Sequence, residues 1–116
     1  MKIEKFEDIT AWKKGGELSL AIYKTFKDSK DFRFRDQIQA AAVSIMNNIA
    51  EGFERHGRNK EFSQFLKIAK GSCGEVRSML YLAFRLEYIT RHEFDVLKAA
   101  TVEISKMLHG FINKLK

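Results

Sequence analysis

Proline is absent from this sequence of 116 residues, and cysteine occurs once, at Cys73. Without proline no pyrrolidine ring breaks a helix from within, so long helices are permitted throughout. A lone cysteine closes no disulfide inside the chain and builds no zinc knuckle. Its place in an apolar helical pattern favours a buried, inert thiol over a nucleophile. A reduced, cytoplasmic setting is therefore expected. Glycine is scarce, with seven residues, four of them in the close pairs Gly15–Gly16 and Gly71–Gly74. No apolar run approaches the ~20 residues of a membrane span. The opening residues Met1 to Asp8 hold no apolar core of a secretory signal, so neither a membrane anchor nor a leader is expected.

Catalytic patterns are equally thin. The three histidines, His56, His92 and His109, fall at a connection, a helix start and near the chain end. None has metalloprotease spacing, and there is no Glu-x-x-His pair of the di-iron bundle type. No phosphate-binding or dinucleotide glycine loop is present. Gly71-Ser72-Cys73-Gly74 resembles one superficially, but it lies in a helical stretch where its amides are engaged. Glu51 and Glu54, one turn apart, with Glu75 on the next helix, form the one carboxylate group worth weighing. Pairing with Arg55, Arg58 or Lys60 explains it without a metal. No cofactor, no metal and no catalytic residue are expected.

What is present is a chain that is 45% apolar and 31% charged. A length of 116 residues fits a single domain, 1–116, in which folding buries roughly two-thirds of the unfolded surface. Apolar residues recur at helical spacing almost throughout. The first helix is expected from near Asp8 to about Lys27, with Ile9, Trp12, Gly16, Leu20, Tyr23 and Phe26 on one side. Its Gly15 and Gly16 weaken it by about 1 kcal/mol each relative to Ala. The polar turn Asp28-Ser29-Lys30-Asp31 follows.

The second helix is expected from Phe32 to Arg55, burying Phe34, Ile38, Ala41, Ala42, Ile45, Ile49 and Phe53. Gly57 can end it, and Asn59 can cap the next. The third, Lys60 to Ile89, places Phe62, Phe65, Leu66, Ala69, Cys73, Val76, Leu80, Ala83 and Phe84 on one side. The fourth opens on Thr90-Arg91-His92-Glu93, which has capping-box spacing. It continues through Phe94, Leu97, Thr101, Ile104, Leu108, Phe111 and Leu115, a packing seam of alternating three and four. Four such helices with short connections predict an all-α, antiparallel up-down-up-down four-helix bundle.

The charge balance, 21 Lys+Arg against 15 Asp+Glu, leaves the chain at +6. Such a charge draws polyanions to the surface, and it equally keeps a small protein dispersed. Its distribution is more informative than its size. Lys60, Lys67, Lys70, Arg77 and Arg85 project within about 100° of one another, away from the apolar side of the third helix. A ridge of this kind can follow a phosphate backbone, with Arg55 and Arg58 beside it at the preceding turn. A plain solvated face is the simpler alternative.

On the same non-core side Gly71, Gly74 and Ser78 make a seam of small residues. Flanking it, Ile68, Met79, Leu82 and Leu86 are apolar without belonging to the core stripe. A helix apolar on more than one side needs a second partner. A second copy of the chain is the simplest such partner, which predicts a homo-oligomer. Glu51 points away from the second helix's buried stripe and belongs with this contact surface.

The order Asn48-Ile49-Ala50-Glu51-Gly52, Arg55, Glu61-Phe62, Phe65-Leu66, Ala69, Gly71-Ser72 and Glu75 resembles the signature of the proteins encoded in 23S rRNA intervening sequences, also called S23 ribosomal proteins. The opening Phe6-Glu7-Asp8-Ile9, with Trp12 and Lys13, is similar to that family's start. The resemblance implies a bundle assembled as a homopentamer. It further implies a relation to the accessory variability proteins of diversity-generating retroelements, which bind nucleic acid through a basic surface and engage a reverse transcriptase. The ribosomal name reflects gene location, not membership of the ribosome. The chain departs from the family's pattern at Ile45-Met46, where a proline often follows the isoleucine, and at Glu75-Val76, where leucine often follows the glutamate.

Two functions are thus expected in order. The first is a non-enzymatic oligomer binding RNA or other nucleic acid, RNA or DNA, through the basic surface. The second is an interaction scaffold whose partner is another protein, such as a reverse transcriptase.

Overall fold

Residues 3–116 are described by the computed structural model. A short 3-10 turn, Phe6–Asp8, leads into α1 (Thr10–Phe26), followed by α2 (Phe32–His56), α3 (Phe62–Arg85) and α4 (Arg91–Lys114). The connections 27–31, 57–61 and 86–90 are five residues each, too short for anything but a reversal of direction between successive helices. Each helix packs on its neighbours in sequence, and α4 returns against α1, closing an antiparallel four-helix bundle of 43 × 21 × 19 Å.

Each reversal has a local chemical cause. Asp31 caps α2, its Oδ1 accepting from the Phe34 N–H at 3.1 Å. Gly57 ends α2 at φ 58°, a left-handed conformation that a Cβ disfavours, and its N–H reaches the Phe53 carbonyl. Asn59 does not cap α3, whose N-cap is Glu61 without a side-chain bond; the Asn59 Oδ1 accepts from the Glu61 N–H in the preceding turn, and bonds of the i→i+3 type wind the chain from 59 to 64. α3 therefore opens at Phe62, and Lys60 lies in the turn before it. α3 stops at Arg85, short of the expected Ile89, because Glu87 turns left-handed at φ 62°. The Tyr88 N–H then reaches back to the Ala83 carbonyl and the Glu87 N–H to that of Phe84, the paired bonds of a Schellman ending. The Thr90/Glu93 capping box at the head of α4 is complete, with both reciprocal bonds formed.

One core runs the length of the bundle and draws on all four helices. The whole expected stripe of α2 is buried in it, as are Phe62, Leu66, Ala69, Cys73, Val76, Leu80 and Ala83 of α3. Phe65 and Phe84 are half-buried against its edge. α4 contributes Phe94, Leu97, Thr101, Ile104 and Leu108, and Ile112 is buried where Phe111 and Leu115 are only half-covered. Each fully buried Ile, Leu or Phe adds about 1.5–3 kcal/mol.

α1 is rotated from its expected orientation. Its buried face is Ala11, Gly15, Leu18, Ser19, Ile22 and Phe26, while Leu20 and Tyr23 are 63% and 47% exposed. The small residues decide the rotation. Gly15 lies against Met46 of α2, where an added Cβ would stand 3.3 Å from the Met46 Cβ. Ser19 returns its hydroxyl to the Gly15 carbonyl at 2.9 Å, so it enters the core with its polarity satisfied.

Candidate nucleic-acid interface

The basic residues singled out from the sequence divide into three groups. Arg55 sits in the last turn of α2, in an ion pair with Glu51 at 2.8 Å and with its guanidinium over the Phe65 ring. Arg58 and Lys60 lie exposed in the α2–α3 turn. Lys67, Lys70, Arg77 and Arg85 ride on α3, with Lys70 half-buried and the others exposed. Among the described residues the ion pairs are Lys14–Glu103, Arg35–Asp36, Arg55–Glu51 and Arg91–Asp95. None involves Arg58, Lys60, Lys67, Lys70, Arg77 or Arg85. Arg55 is thus the member of the set whose charge is locally neutralised; the other six keep their field for an external anion.

The two flanks of α3 differ in character. On the flank toward α4, Lys70 and Arg77 border a hollow of about 110 Å³ that is completed by Cys73, Gly74, Thr101 and Ser105. On the flank toward α2, polar side chains bridge the helices. The Ser44 and Ser72 hydroxyls lie 3.0 Å apart, and Gln37 Nε2 donates to Glu75 Oε2 at 3.3 Å. Asn48 donates from Nδ2 to the Ser44 carbonyl at 2.8 Å and to its hydroxyl, so its place beside the buried stripe serves backbone satisfaction. Gly52 is required by close packing: an added Cβ would stand 2.4 Å from the Phe65 Cβ of α3.

Of the residues assigned to a contact surface, Gly71, Gly74 and Ser78 are exposed. A Cβ added at Gly71 or Gly74 would meet no described atom within 4 Å beyond its chain neighbours and the nearby backbone of α3 itself. Ile68, Leu82 and Leu86 are about half exposed. Met79 turns further inward than the pattern implied and packs against the core. Glu51 is exposed, with its carboxylate on Arg55. The sequence reading missed Leu20 and Tyr23 as surface residues, because both fit an apolar stripe that α1 turns outward. It also missed Ser105, which joins Lys70 and Arg77 only across a helix boundary.

Among the described residues one thiol stands out for its titration. Burial pushes the Cys73 thiol up to about 12, against the opposing charges of Lys70 and Arg77, so it is a neutral thiol at physiological pH. Among the described residues no three His, Cys, Asp or Glu side chains converge on a metal-sized point. Glu51 faces Arg55 and Glu75 faces Gln37, which disperses the carboxylate group considered from the sequence. A larger hollow of about 580 Å³ runs along α4, lined by Asp95, Lys98, Glu103 and Lys106 with Ala99, Val102 and Met107, and its two carboxylates are paired with Arg91 and Lys14. No helix among the described residues is long and apolar enough to cross a membrane.

Comparison with known proteins agrees with this architecture. Residues 7–110 match the family described as 23S rRNA-intervening sequence protein. The chain belongs to that family. A solved structure from Bacteroides thetaiotaomicron VPI-5482, described as a protein with unknown function from the S23 ribosomal protein family, is similar to it at 31% identity and a TM-score of 0.81. The similarity covers 89% of this chain and 98% of that one. No curated protein matches. Gly52, Asn48 and Ser72 of the family-like run Asn48 to Glu75 thus have local structural roles in this intervening-sequence family member, at the α2–α3 crossing.

Proposed function

We propose that this chain is a non-enzymatic, oligomeric bundle that binds RNA or other nucleic acid through the α4-facing and outward side of α3. The observation that carries the reading is the row Lys67, Lys70, Arg77 and Arg85, none of which has a carboxylate partner among the described residues. Cations already paired at the surface add little to an external field, whereas unpaired ones release counterions when phosphates replace them. Arg58 and Lys60 extend the row beyond the head of α3. Contacts of this type position a backbone without reading bases, so binding is strongly salt-dependent and weakly sequence-specific. RNA and DNA share the phosphate backbone that such a row follows, so both are tried as ligands.

The test is fluorescence anisotropy of labelled structured RNA and matched DNA at several salt concentrations. The wild type should bind with a steep negative dependence of log affinity on log salt. Lys67→Glu/Lys70→Glu should lower affinity at least tenfold and flatten that slope by about two, with helicity unchanged. Equal binding by the double variant removes this surface from the reading. No binding by wild type at low salt removes nucleic acid altogether.

A second reading rests on a different observation, the half-exposed apolar residues Ile68, Leu82 and Leu86. They favour a scaffold engaging another protein, a polymerase-like enzyme being the type implied by the family resemblance. Salt-insensitive association with a copurifying protein, and preparations without RNA, distinguish it from the first.

A further inference from the structure

The hollow between α3 and α4 is built differently from the rest of the basic surface. Lys70 and Arg77 stand one helical turn either side of Gly74, so all three share one face of α3. Gly74 carries no side chain between the two cations, and, its chain neighbours and the nearby backbone of its own helix aside, no described atom lies within 4 Å of where its Cβ would be. The facing wall is Thr101 and Ser105, one turn apart on α4. The Thr101 hydroxyl is committed to the Leu97 carbonyl at 2.7 Å. No intramolecular hydrogen bond is formed by the Ser105 hydroxyl among the described residues, which leaves it available as a donor. No carboxylate lines the hollow. Both cations also act on the buried Cys73 sulfur beneath them, which places their charges over the same floor.

We propose that this hollow is a seat for one phosphate group, held by the Arg77 guanidinium, the Lys70 ammonium and the Ser105 hydroxyl. The chemistry fits a tetrahedral oxyanion. A guanidinium fork donates two parallel hydrogen bonds to adjacent oxygens, an ammonium adds a point charge, and a hydroxyl donates a third direction. The 110 Å³ volume is the room of roughly three or four waters, which suits one such group and excludes a base. Lys67 and Arg85 lie outside the hollow and act only as a diffuse field. The seat deepens the nucleic-acid reading and rests on it in taking a backbone phosphodiester as its occupant; a free phosphate shares the same chemistry.

The experiment is an amide-resolved NMR titration of the full-length protein with two probes. One is inorganic phosphate, and the other is a 5′-hydroxyl oligouridylate whose only phosphates are diesters. With either probe, the Gly74, Arg77 and Ser105 amides should shift together and saturate at one midpoint. That midpoint should rise at least roughly tenfold in Arg77→Gln. It should rise as much in Gly74→Leu, which fills the hollow without altering charge, and stay within about twofold in Lys24→Gln, on the exposed face of α1. Amide dispersion in each variant reports that the bundle is intact, and the exposed Arg77 position gives the fold-neutral variant.

Wild-type midpoints in both Arg77→Gln and Gly74→Leu would overturn the seat, as would unsaturable shifts spread evenly over all lysines. If those variants keep wild-type midpoints while Lys67→Glu/Lys70→Glu still loses RNA, the seat fails and the nucleic-acid reading stands. Saturation by inorganic phosphate but not by the oligonucleotide keeps the seat, assigns it a free phosphate and retires the nucleic-acid reading.

Discussion

Single residues in this bundle are constrained for different reasons, and glycine shows the contrast best. At Gly52 an added methyl would collide with the Phe65 Cβ at 2.4 Å and its Cγ at 2.7 Å. Gly52→Ala should therefore destabilise the chain by about 1–3 kcal/mol, since overpacking outweighs the gain of up to about 1 kcal/mol in helix propensity. Chemical denaturation reads this as a lower midpoint at unchanged slope. Asp31 is constrained by charge. Its carboxylate accepts from the Tyr88 hydroxyl at 2.7 Å and from the Phe34 N–H. Those bonds hold its pKa below the usual carboxylate value, and the Asp31 bond pushes the Tyr88 hydroxyl up. A depressed carboxylate stabilises the fold above its unfolded value and loses that contribution as pH falls through the folded one. A raised phenol does the reverse, stabilising below about pH 10 and losing it as pH rises through the folded value. Melting temperatures of wild type and Asp31→Asn should accordingly converge as pH falls from 6 to 2. A gap that does not change with pH would show that the charge contributes nothing.

At the scale of the helix, capping and periodicity were readable because both are local. The Thr90/Glu93 box, the polar turn before α2 and the Gly57 stop follow from residue types a few positions apart. The buried stripes of α2 and α3 were legible because each helix has one dominant apolar face. The end of α3 was not, since Glu87 is an unusual occupant of a left-handed position and contacts distant in sequence, Tyr88 with Asp31 and Phe34 and Ile89 with the core, fix the chain beyond it. Gly71 and Gly74 weaken α3 and gain nothing from the protomer around them. Gly71→Ala should raise the stability of the isolated protomer by up to about 1 kcal/mol. If the seam is an inter-subunit contact, the same substitution should weaken assembly. Thermal melts at concentrations below and above dissociation separate the two effects, and a uniform stabilisation at every concentration would remove Gly71 from any contact.

For the whole molecule, α3 divides its labour between flanks. Cations lie toward α4 and half-exposed aliphatic residues lie toward the α2 side, with small residues between. The proposed assembly surface and the proposed anion-binding surface thus fall on separate flanks of one helix. Ile68→Asp/Leu82→Asp should disperse a homo-oligomer to protomers in sedimentation velocity while leaving helicity intact; an unchanged sedimentation coefficient would place the contact elsewhere, with Leu20 and Tyr23 the next surface to alter. By itself the sequence determined that there would be four helices, that Gly57 would end α2 and a Thr90/Glu93 box would open α4, which faces of α2, α3 and α4 would be buried, and that α3 would carry an excess of positive charge. These follow from periodicity and local chemistry, which need no knowledge of neighbours. The tertiary structure alone decided the face α1 buries, a rotation of about one residue or 100° from the apparent stripe, because Ala11, Gly15 and Ser19 fit closely against α2 and bulkier residues do not. It alone decided that Arg55 is spoken for by Glu51, and that Lys70 and Arg77 meet Ser105. Such groupings depend on how neighbouring helices are rotated about their axes, and side-chain shape across the contact sets that rotation.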